Sequence, residues 1–200
     1  MSEILISSAA VAGCSEVFRE VLDPDCNLAI WERKLARDFS ALLLDDVEDV
    51  RFQAPLSKLH ESLEANLNQA GFASNVVREA LVKDVLSLAE RYCSLLVLNE
   101  LEVRLEVVTT NSCRKWHADY VKARLISTYI GSGTQWLSQQ DADRVREGIE
   151  PLRINSMSPG DAGIFKGKIA TDTPAIHRSP PIAGTGEKRL LLVLNPVEED

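Results

Sequence analysis

The spacing of apolar positions divides the chain near residue 99. Before that point they recur at three- and four-residue intervals. From Pro24 onward, Leu28, Trp31, Leu35, Phe39, Leu42 and Leu43 are interleaved with Glu32, Arg33, Lys34, Arg37 and Asp38, which predicts an amphipathic helix capped by Asp23. The acidic run Asp45, Asp46, Glu48 and Asp49 reads as a solvated helix end or loop, because its spacing matches no EF-hand. Leu56, Leu59, Leu63 and Leu67 predict a second helix ended by Gly71. Val77, Leu81, Val85, Leu88 and Tyr92 predict a third, opened by Ser74 or Asn75. His60, on the second helix, has only Glu61 and Glu64 as neighbours of ligand type and reads as surface or packing. Residues 1–23 show no clear period, and the first hundred residues otherwise read as helical.

Beyond Asn99 the period shortens to two. Leu101, Val103, Leu105 and Val107 alternate with Glu102, Arg104 and Glu106, the pattern of a half-buried strand. Similar stretches follow at 115–121, 124–130, 162–165, 175–178 and 189–194, punctuated by glycines and prolines from Gly131 to Gly186. Ser138 to Glu150 is polar and reads as helix or loop. Short strands with helices on one side predict an α+β fold: a double-sheet roll in residues 100–200 with residues 1–99 as a helical support layer, the whole forming a single domain. Such a roll has room inside for a few side chains and one small ligand.

Charge and cysteine content narrow the context. Residues 1–100 carry 9 Lys+Arg against 17 Asp+Glu, a balance of −8, and residues 101–200 carry 13 against 13, a balance of 0. Neither half has the basic excess of a nucleic-acid binder. Cys14, Cys26, Cys93 and Cys113 lack CxxC spacing, which predicts reduced thiols and a cytoplasmic location. Val11-Ala12-Gly13-Cys14 resembles a lipoprotein cleavage box, but Met1-Ser2-Glu3 has no positive charge and Ser7-Ser8-Ala9-Ala10 is a poor signal core. No run approaches the roughly 20 apolar residues of a membrane helix.

The candidate chemistry starts at Trp116-His117-Ala118-Asp119. On a strand, His117 and Asp119 would share a face. His177 lies 60 residues after His117, and Arg189 twelve after His177, heading the strand Leu190–Leu194. Two imidazoles and one carboxylate leave coordination positions open, the ligand set of non-haem Fe(II) oxygenases. Arg189 shares its strand face with Leu191 and Val193, where an unpaired guanidinium is costly and a carboxylate partner would offset the cost. Arg178 is a competing cation, but alternation turns it away from His177. Blander alternatives remain for each: His117 as a core residue bonded to Asp119, and Arg189 paired with Glu187 at the surface. Cys113 could complete a Cys-His-Asp-His set, which would suit Zn²⁺ as a closed structural site.

Trp116-His117-Ala118-Asp119, Arg124 to Ile130, Pro159-Gly160-Asp161 to Phe165, and Ala175-Ile176-His177 with Arg189 together resemble the Fe(II)/2-oxoglutarate dioxygenase superfamily, in its prolyl-hydroxylase-like branch. The resemblance covers about the last hundred residues. With Gly133-Thr134-Gln135-Trp136-Leu137, the same blocks are similar to a bacterial family described only as a domain of unknown function. The resemblance implies a double-stranded β-helix of jelly-roll or cupin type, with Fe(II) on His117, Asp119 and His177. It also implies the cosubstrate's distal carboxylate on Arg189, with a supporting hydrogen bond from Tyr129. The activity implied is hydroxylation of a substrate coupled to conversion of 2-oxoglutarate to succinate. Gly133-Thr134-Gln135-Trp136 stands where a Gly-Gly-Glu-like turn is usual, so the resemblance does not extend to substrate recognition. A rival from another class is a non-catalytic zinc-binding or metal-homeostasis protein of the same roll, and a third is a roll that binds nothing.

Overall fold

The computed structural model describes residues 8–44 and 46–197. Asp45 of the acidic run, and residues 1–7 on which the lipoprotein comparison turned, lie outside the described residues. The architecture is mixed α/β: a seven-stranded sheet, a three-stranded sheet on one of its faces, and helices on the other.

The large sheet has the order β1-β2-β8-β5-β10-β4-β3. Its strands are β1 (Ala9–Ala12), β2 (Leu28–Trp31), β3 (Val50–Pro55), β4 (Glu100–Val108), β5 (Ala123–Ile130), β8 (Ala162–Lys166) and β10 (Arg189–Pro196). Only β1 and β2 run parallel. The small sheet has the order β7-β6-β9, from β6 (Gln135–Trp136), β7 (Asn155–Ser156) and β9 (His177–Arg178).

Both faces of the large sheet are covered, and its central strands therefore read as continuous apolar runs. In β10, Leu190, Leu192 and Leu194 join the larger core on the helix side, while Leu191 and Val193 join a smaller one with Ile126, Phe165 and Met157 beneath the small sheet. The helix-side core is closed by α1 (Leu59–Gln69) and α2 (Val76–Leu96). Leu59, Leu63 and Leu67 of α1 and Leu81, Val85, Leu88 and Tyr92 of α2 are buried, as their spacing predicts. Each such leucine contributes about 1.5–3 kcal/mol of burial. Asn75 caps α2, its side-chain oxygen accepting from the Val77 and Arg78 amides. Within the polar segment 138–150, α3 (Gln139–Arg146) is capped by Ser138, whose hydroxyl accepts from the Asp141 amide.

Two sequence expectations are corrected. The helix expected after Pro24 is instead β2 followed by irregular chain and a 3-10 turn at Ser40–Leu43, and Asp23 closes a 3-10 helix at Ser15–Leu22 rather than opening a helix. Leu28-Ala29-Ile30 is buried on both sides, with Leu28 and Ile30 in one core and Ala29 in the other, an environment that only an inner strand provides. Three strands of the large sheet thus come from the half expected to be helical. The strand expected at 115–121 is reduced to a single bridge between His117 and His177. All four cysteines are free, and no helix among the described residues is long and apolar enough to cross a membrane.

Candidate metal centre

His117 is placed by that bridge. Its amide donates to the His177 carbonyl at 3.0 Å, and the His177 amide returns a bond to the His117 carbonyl at 2.9 Å. His177 itself is held by β9, where it pairs with Trp136 of β6. After Ala118 the chain leaves the small sheet. The Asp119 carbonyl is caught by the Lys168 amide at 2.9 Å, where Gly167 lets two backbones meet: a Cβ on Gly167 would stand 2.1 Å from the Val121 carbonyl oxygen.

The three side chains converge, with one donor atom of each within 4.8 Å of the others. His177 Nε2 lies 3.3 Å from Asp119 Oδ2 and His117 Nε2 lies 3.9 Å from Asp119 Oδ1. Each ring's other nitrogen faces a backbone carbonyl, His117 Nδ1 that of Lys115 at 2.9 Å and His177 Nδ1 that of Ala175 at 3.1 Å. A carbonyl only accepts, so Nδ1 carries the proton, and in the neutral ring Nε2 presents a lone pair. Burial, with His177 beside it, holds the His117 imidazole below its ordinary pKa and so in the neutral form.

Burial alone would raise the Asp119 carboxyl. The Arg124 guanidinium paired with its Oδ1 pulls the other way, and the group is held below the usual carboxylate range. Arg124 Nη1 donates to Asp119 Oδ1 at 2.5 Å and Arg124 Nε to Asn195 Oδ1 at 2.7 Å. Asn195 in turn donates to Glu102, which is ion-paired with Arg51 and Arg104. Oδ1 is thereby occupied. Oδ2 is buried without a hydrogen-bond donor, because the nearby His177 has its proton on the opposite nitrogen. Two imidazole lone pairs and one unmet carboxylate oxygen aimed at each other repel unless a cation lies among them. This donor set fits a divalent metal ion.

A cavity of about 90 Å³ opens beside these groups, lined among others by His117, His177, Arg124, Thr134, Ser179 and Leu191. Arg189 is wholly buried and touches the cavity's lining through Ser179. Its Nε donates to the Ser132 carbonyl at 2.6 Å and its Nη1 to Ser179 Oγ at 3.0 Å, while Nη2 has no partner. Gly131, at φ +79, makes room for it, since a Cβ there would come within 2.8 Å of Arg189 Cγ. Burial lowers the guanidinium pKa against the pull of Glu187 and Glu106. Glu187 accepts from the Ser132 amide and forms no ion pair with Arg189, so the surface pairing considered for Arg189 is not what the structure places there.

Tyr129 is not brought to this site. Strand alternation in β5 points Arg124 and Ile126 to the cavity and Leu125 and Tyr129 to the helices, where the Tyr129 hydroxyl donates to Asp84 Oδ2 at 2.6 Å. Arg33 completes that cluster. Cys113 lines the cavity, yet its thiol is not among the converging donors, and the closed Cys-His-Asp-His set does not form. Arg178 also reaches the cavity rim, because β9 is only two residues long. His60 is exposed on α1. Sequence reasoning passed over Arg124 as a site residue, although its even spacing from Ile126 was a usable sign.

The fold thus brings a two-histidine, one-carboxylate cluster together beside the large sheet, with a buried arginine on one of its central strands. The dioxygenase for auxin oxidation 1 from Arabidopsis thaliana, solved as a complex with 2-oxoglutarate, shares the fold. Its TM-score is 0.56, over 96% of this chain and 92% of that one, at 10% identity. A Pseudomonas putida prolyl-4-hydroxylase gives a TM-score of 0.38 at 14% identity, over 84% and 97%, too low to add to the comparison. The chain belongs to the family described as "Protein of unknown function (DUF1826)", which matches residues 13–195. No curated protein matches it.

Proposed function

We propose that this protein is an Fe(II)- and 2-oxoglutarate-dependent oxygenase of the hydroxylase type, a cytoplasmic single-domain protein built on a double-stranded β-helix. One observation carries the reading. Of three buried side-chain atoms left without a hydrogen-bond partner among the described residues, two belong to side chains that touch the lining of that cavity: Asp119 Oδ2, an unmet acceptor beside His177, and Arg189 Nη2, an unmet donor on the guanidinium bonded to Ser179. Buried polar atoms are rarely orphaned without cause. A metal cation answers the first, and the distal carboxylate of a dicarboxylate answers the second.

In this reading His117, Asp119 and His177 hold the metal. Fe(II) bound there with 2-oxoglutarate supplies oxidative decarboxylation of the 2-oxo acid coupled to hydroxylation of a substrate C–H bond. The chain's own residues orient and shield. Arg189, fixed by Ser132 and Ser179, takes the cosubstrate's far carboxylate as a charge-assisted pair. Arg124 holds one oxygen of Asp119, leaving the other for the metal. Ile126, Leu191 and Phe165 keep the floor of the site dry.

Anaerobic addition of Fe(II) and 2-oxoglutarate is expected to give a visible charge-transfer band that His177→Ala abolishes. No band, together with no heat of 2-oxoglutarate binding, would sink the proposal. The zinc alternative lacks its fourth ligand in Cys113, since structural zinc sites are closed by four protein donors. Tightly held zinc in protein purified without added metal, with an affinity that falls in Cys113→Ser, would restore it.

A further inference from the structure

Arg178 is a cation at the cavity rim for which neither the metal nor the cosubstrate accounts. Its Nε donates to Gln135 Oε1 at 2.7 Å, and its guanidinium carbon lies 4.1 Å from the centroid of the Trp116 ring. The aromatic face and the amide fix its direction without neutralising it. Other guanidiniums lining the cavity have carboxylates: Arg104 pairs with Glu102, and Arg124 with Asp119. Arg178 forms no ion pair among the described residues.

Space points the same way. The cavity of about 90 Å³ is small, whereas a cleft of about 500 Å³ opens on the other side of the Trp116–Ala118 segment. Trp116, Val145, Pro174 and Ile176 form the apolar part of the cleft's lining and Arg146, Lys168 and Asp172 its charged part, and His117 borders both spaces. The Arg178–Trp116 pair therefore stands where chamber and cleft adjoin. Clefts of this size and lining suit small organic molecules.

We infer that the substrate is an organic carboxylate with an apolar body, its carboxylate paired with Arg178 and its body lying along Trp116 in the cleft. This inference rests on the oxygenase reading for the identity of the site. An arginine fork held ready by stacking loses little freedom on pairing with a carboxylate, which favours an acid over its uncharged analogue.

The test compares 3-phenylpropionate with 3-phenylpropionamide, and hexanoate with hexanamide, by calorimetry on the anaerobic protein loaded with Fe(II) and 2-oxoglutarate. The acids are expected to bind at least about tenfold more tightly than their amides, and Arg178→Gln to erase that preference. Arg178→Lys, keeping charge without the fork, is expected to retain part of it. In both variants the dissociation constant of 2-oxoglutarate is expected to stay within about threefold of wild type. Equal binding of acid and amide by wild-type protein, no binding of either acid, or an unchanged preference in Arg178→Gln would each overturn the inference. Loss of 2-oxoglutarate binding in that variant would also overturn it, by assigning Arg178 to the cosubstrate. The two proposals fail separately: a charge-transfer band without acid preference removes only the substrate subsite, and acid preference without a band removes only the oxygenase.

Discussion

Arg189→Met separates a ligand-binding role from a folding role, because the two predict opposite changes. In the free protein the guanidinium holds two hydrogen bonds and leaves Nη2 unmet in a fully buried position. Bonds from a charged donor contribute about 1.5–3 kcal/mol each, and an unmet buried donor costs about 1–3 kcal/mol. Desolvation of the cation costs several kcal/mol more. Methionine keeps an apolar stem of similar reach, so the opposing contributions leave the unliganded variant within about 2 kcal/mol of wild type. Cosubstrate binding has no such compensation. Loss of the charge pair is worth about 3 kcal/mol, or roughly 150-fold in Kd. With 2-oxoglutarate at 100 times the wild-type Kd, stabilisation by the ligand falls from about 2.7 to about 0.3 kcal/mol. For a chain of this length that is a Tm rise of about 5–11 °C in the wild type and about 1 °C in the variant. Thermal melts of the metal-loaded protein, with and without 2-oxoglutarate, read both quantities. A variant that melts far below wild type yet keeps the full rise would refute the assignment and make Arg189 a structural residue.

Gly167→Ala would drive a methyl group into the Val121 and Asp119 carbonyls and displace the loop that carries Asp119. Metal affinity should fall about 10–100-fold by calorimetry. Gly148→Ala, at φ +77 with nothing within 4 Å, should cost only about 1–2 kcal/mol of backbone strain and leave metal binding alone. Tyr129→Phe should lower stability by about 1.5–3 kcal/mol in urea denaturation, since it deletes a hydrogen bond to the charged Asp84 although the Arg33 pair remains, while the Kd for 2-oxoglutarate stays unchanged. A raised Kd at unchanged stability would return Tyr129 to the cosubstrate site.

The helices α1 and α2 were legible because period, cap and terminator agree: Asn75 sits before the first buried position of α2 and Gly71 just past the end of α1. Strand β10 was legible as an apolar run headed by Arg189, whose alternation sets Arg189 with Leu191 and Val193 and apart from Leu190 and Leu192. The stretch 24–43 misled because consecutive apolar residues buried on two faces satisfy a helical spacing by accident. His117 and Asp119 were expected to share a strand face; they meet instead because one is tied to β9 and the other to Lys168 and Arg124, contacts that no local pattern announces. Tyr129 was a different error. It stands five residues from Arg124, so strand alternation already turned it from the face that Arg124 and Ile126 share, and the family resemblance was allowed to override that parity.

The reciprocal backbone pair between His117 and His177 has a consequence for metal economy. Because each ligand's main chain is fastened to the other's, the distance between the two imidazoles is set when the chain folds and not when an ion arrives. The socket stands ready when empty, and loss of the ion leaves a folded protein able to refill. A rigid site of two nitrogens and one oxygen ranks divalent ions largely by their intrinsic order, in which copper and zinc lie above iron. On the proposed function, supply then decides the occupant, and an excess of zinc would poison the iron-dependent reaction by displacement, with the protein still folded around the wrong ion.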